Sequence, residues 1–208
     1  MSRAPTSGGR RYGGQTAQQR QATRRAKLLD AGLELFGTTG YGATTIEQLC
    51  AAAGLHPRYF YEQFEGREAL LQAVYDRHVE GVLGDVLAAV QAAPPEPRPR
   101  LRAGLTAFVH GTLADERAAR INYFEMVGVS PALERRRREV LRTYAELIAA
   151  QAVELRLGDA PAAIDSRLGA VALVGATDGL LIDWLAHEPR VQGEQIIATL
   201  IEIFAPAL

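Results

Sequence analysis

Residues 44–67, TTIEQLCAAAGLHPRYFYEQFEGR, constrain the fold of this chain more than any other stretch. Thr44 and Glu47 have the Thr-x-x-Glu spacing of a capping box, which predicts a helix beginning at Thr45. Ile46, Leu49, Cys50 and Ala53 fall on one face of that helix, and Gly54 supplies permissive backbone for a corner. Pro57 suits the first position of a further helix, where its missing N–H costs nothing. That helix, residues 57–63, is too short to be stable alone. It carries Arg58, Tyr59, Tyr61 and Gln63, more polar and aromatic surface than a core helix needs. Two short helices on a glycine corner, the second showing Arg and Tyr, predict a helix-turn-helix that presents its second helix to a DNA major groove.

Within that second helix the roles divide by chemistry. Arg58 is the candidate for reading a guanine edge, through its bidentate fork. Tyr59 suits a thymine methyl or a phosphate, and His56 or Pro57 bases at the helix start. Phe64 reads as a core aromatic; Tyr61, being amphipathic, reads as a packed ring with its hydroxyl outward.

The stretch resembles the DNA-binding segment of tetracycline-repressor-type (TetR/AcrR) regulators. The matching residues are Thr44-Thr45, Ile46, Leu49, Ala52-Ala53-Gly54-Leu55, Tyr61, Phe64, Arg67, Glu68 and Leu70, preceded by Leu35-Phe36 and Gly40-Tyr41. The resemblance as a whole covers roughly residues 20–75. His56 stands where such proteins usually cap with Ser or Thr, and Arg67 where they usually have lysine. The resemblance implies that Thr45, Tyr61, Gln63 and Arg67 position DNA phosphates. It also implies an all-α protein of about nine helices. In that arrangement a helix-turn-helix domain at residues 20–75 joins, through a long fourth helix, a ligand-binding and dimerisation domain at 76–208.

The distribution of charge agrees with a DNA partner. The chain of 208 residues has a formal net charge of -1, yet residues 1–80 hold ten Lys/Arg against eight Asp/Glu, and 81–208 thirteen against sixteen. No acid precedes Asp30, while residues 1–29 hold six Arg and one Lys. Positive charge therefore lies beside the proposed DNA surface, where phosphate contacts need it. The single cysteine, Cys50, excludes an intrachain disulfide, leads us to expect a reducing cytoplasm, and reads as a small buried hydrophobe. No signal peptide is apparent, and the apolar stretches near 168–177 and 195–205 read as too short, or too interrupted by Asp178 and Glu202, to span a bilayer.

Taken in order, residues 1–19 have too little apolar surface to fold; they read either as a solvated tail or as an arm in which Arg10 and Arg11 reach DNA. A first helix over residues 20–36 should bury Ala22, Ala26, Leu29, Leu33 and Phe36. Arg24, Arg25 and Lys27 on its first turns suit either a solvated face or phosphates, and we select Arg24 for DNA. A long helix should run from Arg67 to about Ala92, before AAPPEPRPR at 92–100 breaks the pattern. Helical segments follow at 101–113, 117–127, 132–157, 162–186 and 192–204, and no strand pattern stands out.

Four consecutive arginines, 135–138, sweep about 300° of a helix and read as a salt-bridged surface. In the C-terminal half, Phe108, His110, Tyr123, Phe124, Tyr144, Asp178 and Trp184 are candidates to line a ligand cavity, each with core packing as the alternative. Leu168, Val171, Gly175, Gly179 and Ile182, with Ile197 and Ile201, would suit the dimer face that the resemblance places on the last two helices. A dimer is required physically, because one short recognition helix gives too little contact for site-specific affinity; its two half-sites would lie about 34 Å apart. The four histidines show no ligand spacing, so neither a metal nor another cofactor is expected, and no constellation suggests an enzyme. The expectation is a homodimeric regulator of double-stranded operator DNA, a repressor released by an unknown small-molecule effector, with no membrane partner. A helical binder with a vestigial helix-turn-helix is the alternative.

Overall fold

The structure is a computed structural model that describes residues 16–154, 165–188 and 190–205; Arg10 and Arg11 lie outside them. Among the described residues there is no strand. Nine α-helices follow one another among these residues: α1 (Ala17–Thr38), α2 (Ile46–Ala53), α3 (Pro57–Tyr61), α4 (Arg67–Ala92), α5 (Pro97–Leu113), α6 (Glu116–Arg120), α7 (Pro131–Glu154), α8 (Ser166–Ala186) and α9 (Gly193–Phe204). A π turn, Ile121–Glu125, extends α6. Its signature is the bond from the Met126 N–H to the Ile121 carbonyl, five residues back.

Helix α1 begins at Ala17, three residues earlier than expected, because Thr16 and Gln19 form a reciprocal capping box. Its buried face is Leu28, Ala31, Gly32, Phe36 and Gly37; Ala22 and Ala26 are exposed and Leu29 and Leu33 half-buried, correcting the expected stripe. The first half of α1 therefore projects past the core. Pro97 sits in the first turn of α5, so the expected break at 92–100 narrows to the residues between Ala92 and Pro97.

A first core gathers Leu28, Phe36, Leu49, Phe60, Leu70, Leu71 and Val74 and continues without a gap into Ile121, Met126, Leu133 and Val140. Packing thus passes from the N-terminal helices into the π turn and α7. A second core joins Val109, Ala119, Tyr123, Leu181, Leu200 and Ile201. The arginine run belongs partly to this framework: Arg136 reaches Asp76 on α4 at 2.7 Å, and Arg137 lies 3.4 Å from Glu134. Ser130 donates to Glu68 at 2.6 Å, a second polar tie between α4 and the start of α7.

Helix α8 departs from expectation in one respect. By length and composition alone, Arg167–Ala186 is apolar enough to cross a membrane. Leu173, Leu181 and Leu185 nonetheless pack into the protein core, and Asp178 is engaged on the same inward side.

Candidate nucleic-acid interface

The helix-turn-helix is assembled from local rules with one shift of register. Thr45, not Thr44, caps α2: its hydroxyl accepts the Gln48 N–H at 3.2 Å, and the Gln48 side chain returns to the Thr45 N–H at 2.7 Å. Thr44 is fully buried, and its hydroxyl donates to the Gly40 carbonyl at 2.8 Å. Two neighbouring threonines could each have capped; the one facing inward is claimed by the preceding loop. Gly54 then turns the chain at φ +62°, the left-handed conformation that favours glycine. His56 caps α3 through Nδ1, which accepts the Arg58 N–H at 3.3 Å, and Pro57 takes the first helical position.

Helix α3 is anchored by Phe60 and Phe64, both buried, as Cys50 is on α2. Burial pushes the Cys50 thiol up, with Glu47 adding to the effect. Opposite these anchors, His56, Pro57 and Arg58 are exposed and Tyr61 keeps 61% of its surface in solvent. Tyr61 therefore projects far more of its ring than expected, touching Phe60 edge-on at 5.6 Å. Tyr59 is not free. The Arg24 guanidinium lies 3.8 Å from its ring centre, the Arg58 guanidinium 4.5 Å away, and Arg58 also bonds the Tyr59 hydroxyl. Those guanidinium contacts, the Arg58 hydrogen bond first, hold the Tyr59 phenol below its usual value.

Two expected phosphate contacts are placed otherwise. Arg24 lies 3.4 Å from Glu62 and stacks on Tyr59, so it buttresses α3 from α1. Arg67 turns inward, donating to the Tyr41 carbonyl at 3.0 Å and to the Thr44 carbonyl, with its guanidinium 4.9 Å from the Tyr41 ring. It pins the loop before α2 to the start of α4. Gln63 is half-buried just after α3, and its Nε2 has no hydrogen-bond partner among the described residues.

The C-terminal candidates divide. Phe108 and Tyr144 meet edge-on at 5.1 Å, and the buried Tyr123 hydroxyl donates to Asp178 at 3.2 Å. Burial raises the Asp178 carboxyl, against the Tyr123 hydrogen bond and the Arg137 charge, which pull it down. Burial pushes the Tyr123 phenol well up, with the Asp178 charge and hydrogen bond adding. Tyr75 on α4, which no pattern in the sequence singled out, belongs to the same charged neighbourhood. Two candidates are corrected. His110 is exposed and pairs with Glu194 at 2.9 Å, while the half-buried Trp184 donates to the Val191 carbonyl at 2.8 Å under the Arg190 guanidinium. His110 thus belongs to the outer seam with α9, whereas Trp184 packs against the second core, the alternative its sequence reading left open. Phe124 is half-buried beside Arg120.

The π turn faces both halves. Two residues after Tyr123, the Glu125 carboxylate accepts the Tyr41 N–H at 2.7 Å, beside the loop that leads into α2. On α8, Leu168, Val171 and Ile182 are 57%, 51% and 38% exposed, and a methyl added at Gly175 or Gly179 would meet open space. These glycines are therefore not spent on packing within the chain. Ile197 and Ile201 are corrected: both are buried in the protomer's own second core.

Residues 28–74 match the pattern of the bacterial regulatory proteins of the tetR family. Over 202 residues the chain is 25% identical to the HTH-type transcriptional regulator AcrR of Shigella flexneri, covering 91% of this chain and 92% of that protein. It shares its fold with AibR solved in complex with isovaleryl coenzyme A and operator DNA, at a TM-score of 0.69, 19% identity, and 89% and 100% coverage of the two chains. It likewise shares its fold with FadR from Bacillus subtilis in complex with stearoyl-CoA, at a TM-score of 0.76, 15% identity, and 88% and 98% coverage.

Proposed function

The chain belongs, through residues 28–74, to the tetR family of bacterial regulatory proteins, and from that premise we propose that it acts as a homodimeric repressor released from its operator by a small molecule. The observation that carries this reading is the combination of two buried anchors, Phe60 on α3 and Phe64 just after it, with Arg58 and Tyr61 of α3 turned to solvent. A helix held rigidly from behind and bare in front is what a major groove accepts. Arg58 reads a base edge and Tyr61 sets the register on phosphate.

The open apolar stripe of α8, centred on Gly175 and Gly179, supports pairing with a second copy across a twofold axis. Pairing places two recognition helices on one face of the duplex. The effector site is proposed among α4, α5, the π turn, α7 and α8, where Tyr123, Asp178, Phe108 and Tyr144 gather. A ligand that competes for the Tyr123–Asp178 bond would shift the π turn and, through Glu125, the loop before α2; motion of α4 would change the spacing of the two recognition helices. Such a ligand lowers operator affinity only as far as it prefers the displaced state. AibR and FadR, solved in complex with isovaleryl coenzyme A and stearoyl-CoA, share this fold and set a precedent for a small-molecule ligand.

Footprinting on the DNA upstream of the gene tests the reading. Protection of a twofold-symmetric site is expected, and Arg58→Ala should cost about 1–3 kcal/mol of specific binding while relaxing one base position. Absence of protection at low salt would leave a helical binder in its place.

A further inference from the structure

Arg58 does not leave α3 as a free side chain. Its backbone N–H is held by His56 Nδ1 at 3.3 Å, and its Nη2 donates to the Tyr59 hydroxyl. The same guanidinium lies 4.5 Å from the centre of the Tyr59 ring. An arginine held in this way has lost rotamer freedom before any duplex arrives, so that ordering no longer opposes binding. A guanidinium has more N–H donors than a guanine edge takes, and the bond to Tyr59 leaves a bidentate fork to spare.

Tyr59 is held in turn from the first helix. Arg24 of α1 is half-buried, and its guanidinium lies 3.8 Å from the Tyr59 ring centre. Nη1 of Arg24 is 3.4 Å from a carboxylate oxygen of Glu62, the C-cap of α3. Two guanidinium groups therefore occupy one ring, which is spent inside the protein rather than offered to a thymine methyl. The series Glu62, Arg24, Tyr59, Arg58 starts and finishes on α3 and passes through α1 between. A helix of five residues has little rigidity of its own, and this series refers its base-reading side chain to a second, longer helix.

We propose that Tyr59 is a positioning residue for specificity: it makes no base contact of its own and aims Arg58 at one base pair, with Arg24 bracing it from α1. The proposal rests on the regulator reading above. It replaces the thymine or phosphate contact expected of Tyr59 from sequence, and it gives Arg24 a part in base preference without a place on the DNA. Specificity at that base pair belongs to the three side chains as a unit.

The test compares affinities of the full chain for the upstream operator and for a set of its single-base-pair variants. The proteins are the wild type, Arg58→Ala, Tyr59→Phe, Arg24→Ala and the double variant Arg58→Ala/Tyr59→Phe. Tyr59→Phe keeps the ring and removes only the hydroxyl. It should reduce preference about two- to tenfold at the base pair that Arg58→Ala relaxes, leaving the other positions as in the wild type. Arg24→Ala should relax the same base pair, with a salt slope within error of the wild type. The double variant should match Arg58→Ala, because Tyr59 then has nothing left to aim. Four results would each overturn the assignment: full preference retained by Tyr59→Phe, relaxation at a different base pair, equal weakening of every duplex, or losses that add in the double variant. A wild type that prefers no upstream sequence would instead fail the regulator reading itself.

Discussion

The Glu125 carboxylate accepts the backbone N–H of Tyr41 at 2.7 Å, and Gly40 lies so close that a Cβ there would sit 3.4 Å from the same carboxylate. This joins the π turn to the loop that leads into the helix-turn-helix. Replacing Glu125 with Ala removes the acceptor from a part-buried N–H and should cost about 1–3 kcal/mol. Hydrogen exchange at the Tyr41 amide should accelerate accordingly, and operator binding should weaken although no DNA-facing group has changed.

Gly37 admits no side chain. A Cβ there would lie 2.4 Å from Cβ and 2.7 Å from Cα of Arg117, backbone against backbone where α1 crosses α6. Arg117 is further fixed by Glu34 and Asp115, each at 2.6 Å. Gly37→Ala should therefore destabilise the fold by about 1–3 kcal/mol, read as a lower urea midpoint with an unchanged slope.

The raised Asp178 carboxyl makes stability fall with rising pH over its own titration. Below the ordinary carboxylate range both folded and unfolded chains hold the proton, so nothing is lost. As pH rises, the unfolded chain releases its proton first, and the folded state is penalised by the amount that burial raised the group. Asp178→Asn keeps an acceptor for Tyr123 and removes the penalty. Its unfolding midpoint should exceed that of the wild type at about pH 7, and the margin should shrink toward about pH 4.

The α8 stripe predicts the outcome of Val171→Asp. A charge in the middle of a 51%-exposed apolar position should leave the protomer folded but send it to monomer in sedimentation experiments. Operator affinity should then drop at least about a hundredfold, because the second half-site is no longer bound from the same molecule.

What the sequence disclosed, it disclosed where a decision was local. Gly54, His56 and Pro57 act within a turn of their own positions, and Phe60 and Phe64 have nowhere to go but inward once α3 is short. The misplaced residues depended on neighbours far along the chain. Thr44 and Thr45 are equivalent cap residues until the Gly40 carbonyl claims one of them. Arg67 looks like a phosphate contact until the Tyr41 and Thr44 carbonyls are found behind it. His110, Trp184, Ile197 and Ile201 sit on helices whose inward face is set by which helix packs alongside, and periodicity fixes a stripe without fixing its partner. Tyr75 and Glu125 escaped notice because a single tyrosine or glutamate in a helix has no pattern of its own.

The π turn also fixes how many residues separate those two halves. Its wider spiral accommodates one residue beyond an ordinary α-helical path, so tightening it would advance the following chain by roughly 1.5 Å and swing it about 100°. Tyr123 and Glu125 would then no longer address Asp178 and Tyr41 at the same time. The looser coil works as a spacer of one amino acid, and deleting a single residue between 121 and 125 would uncouple the interior of the C-terminal helices from the reading head while leaving every helix on either side able to form.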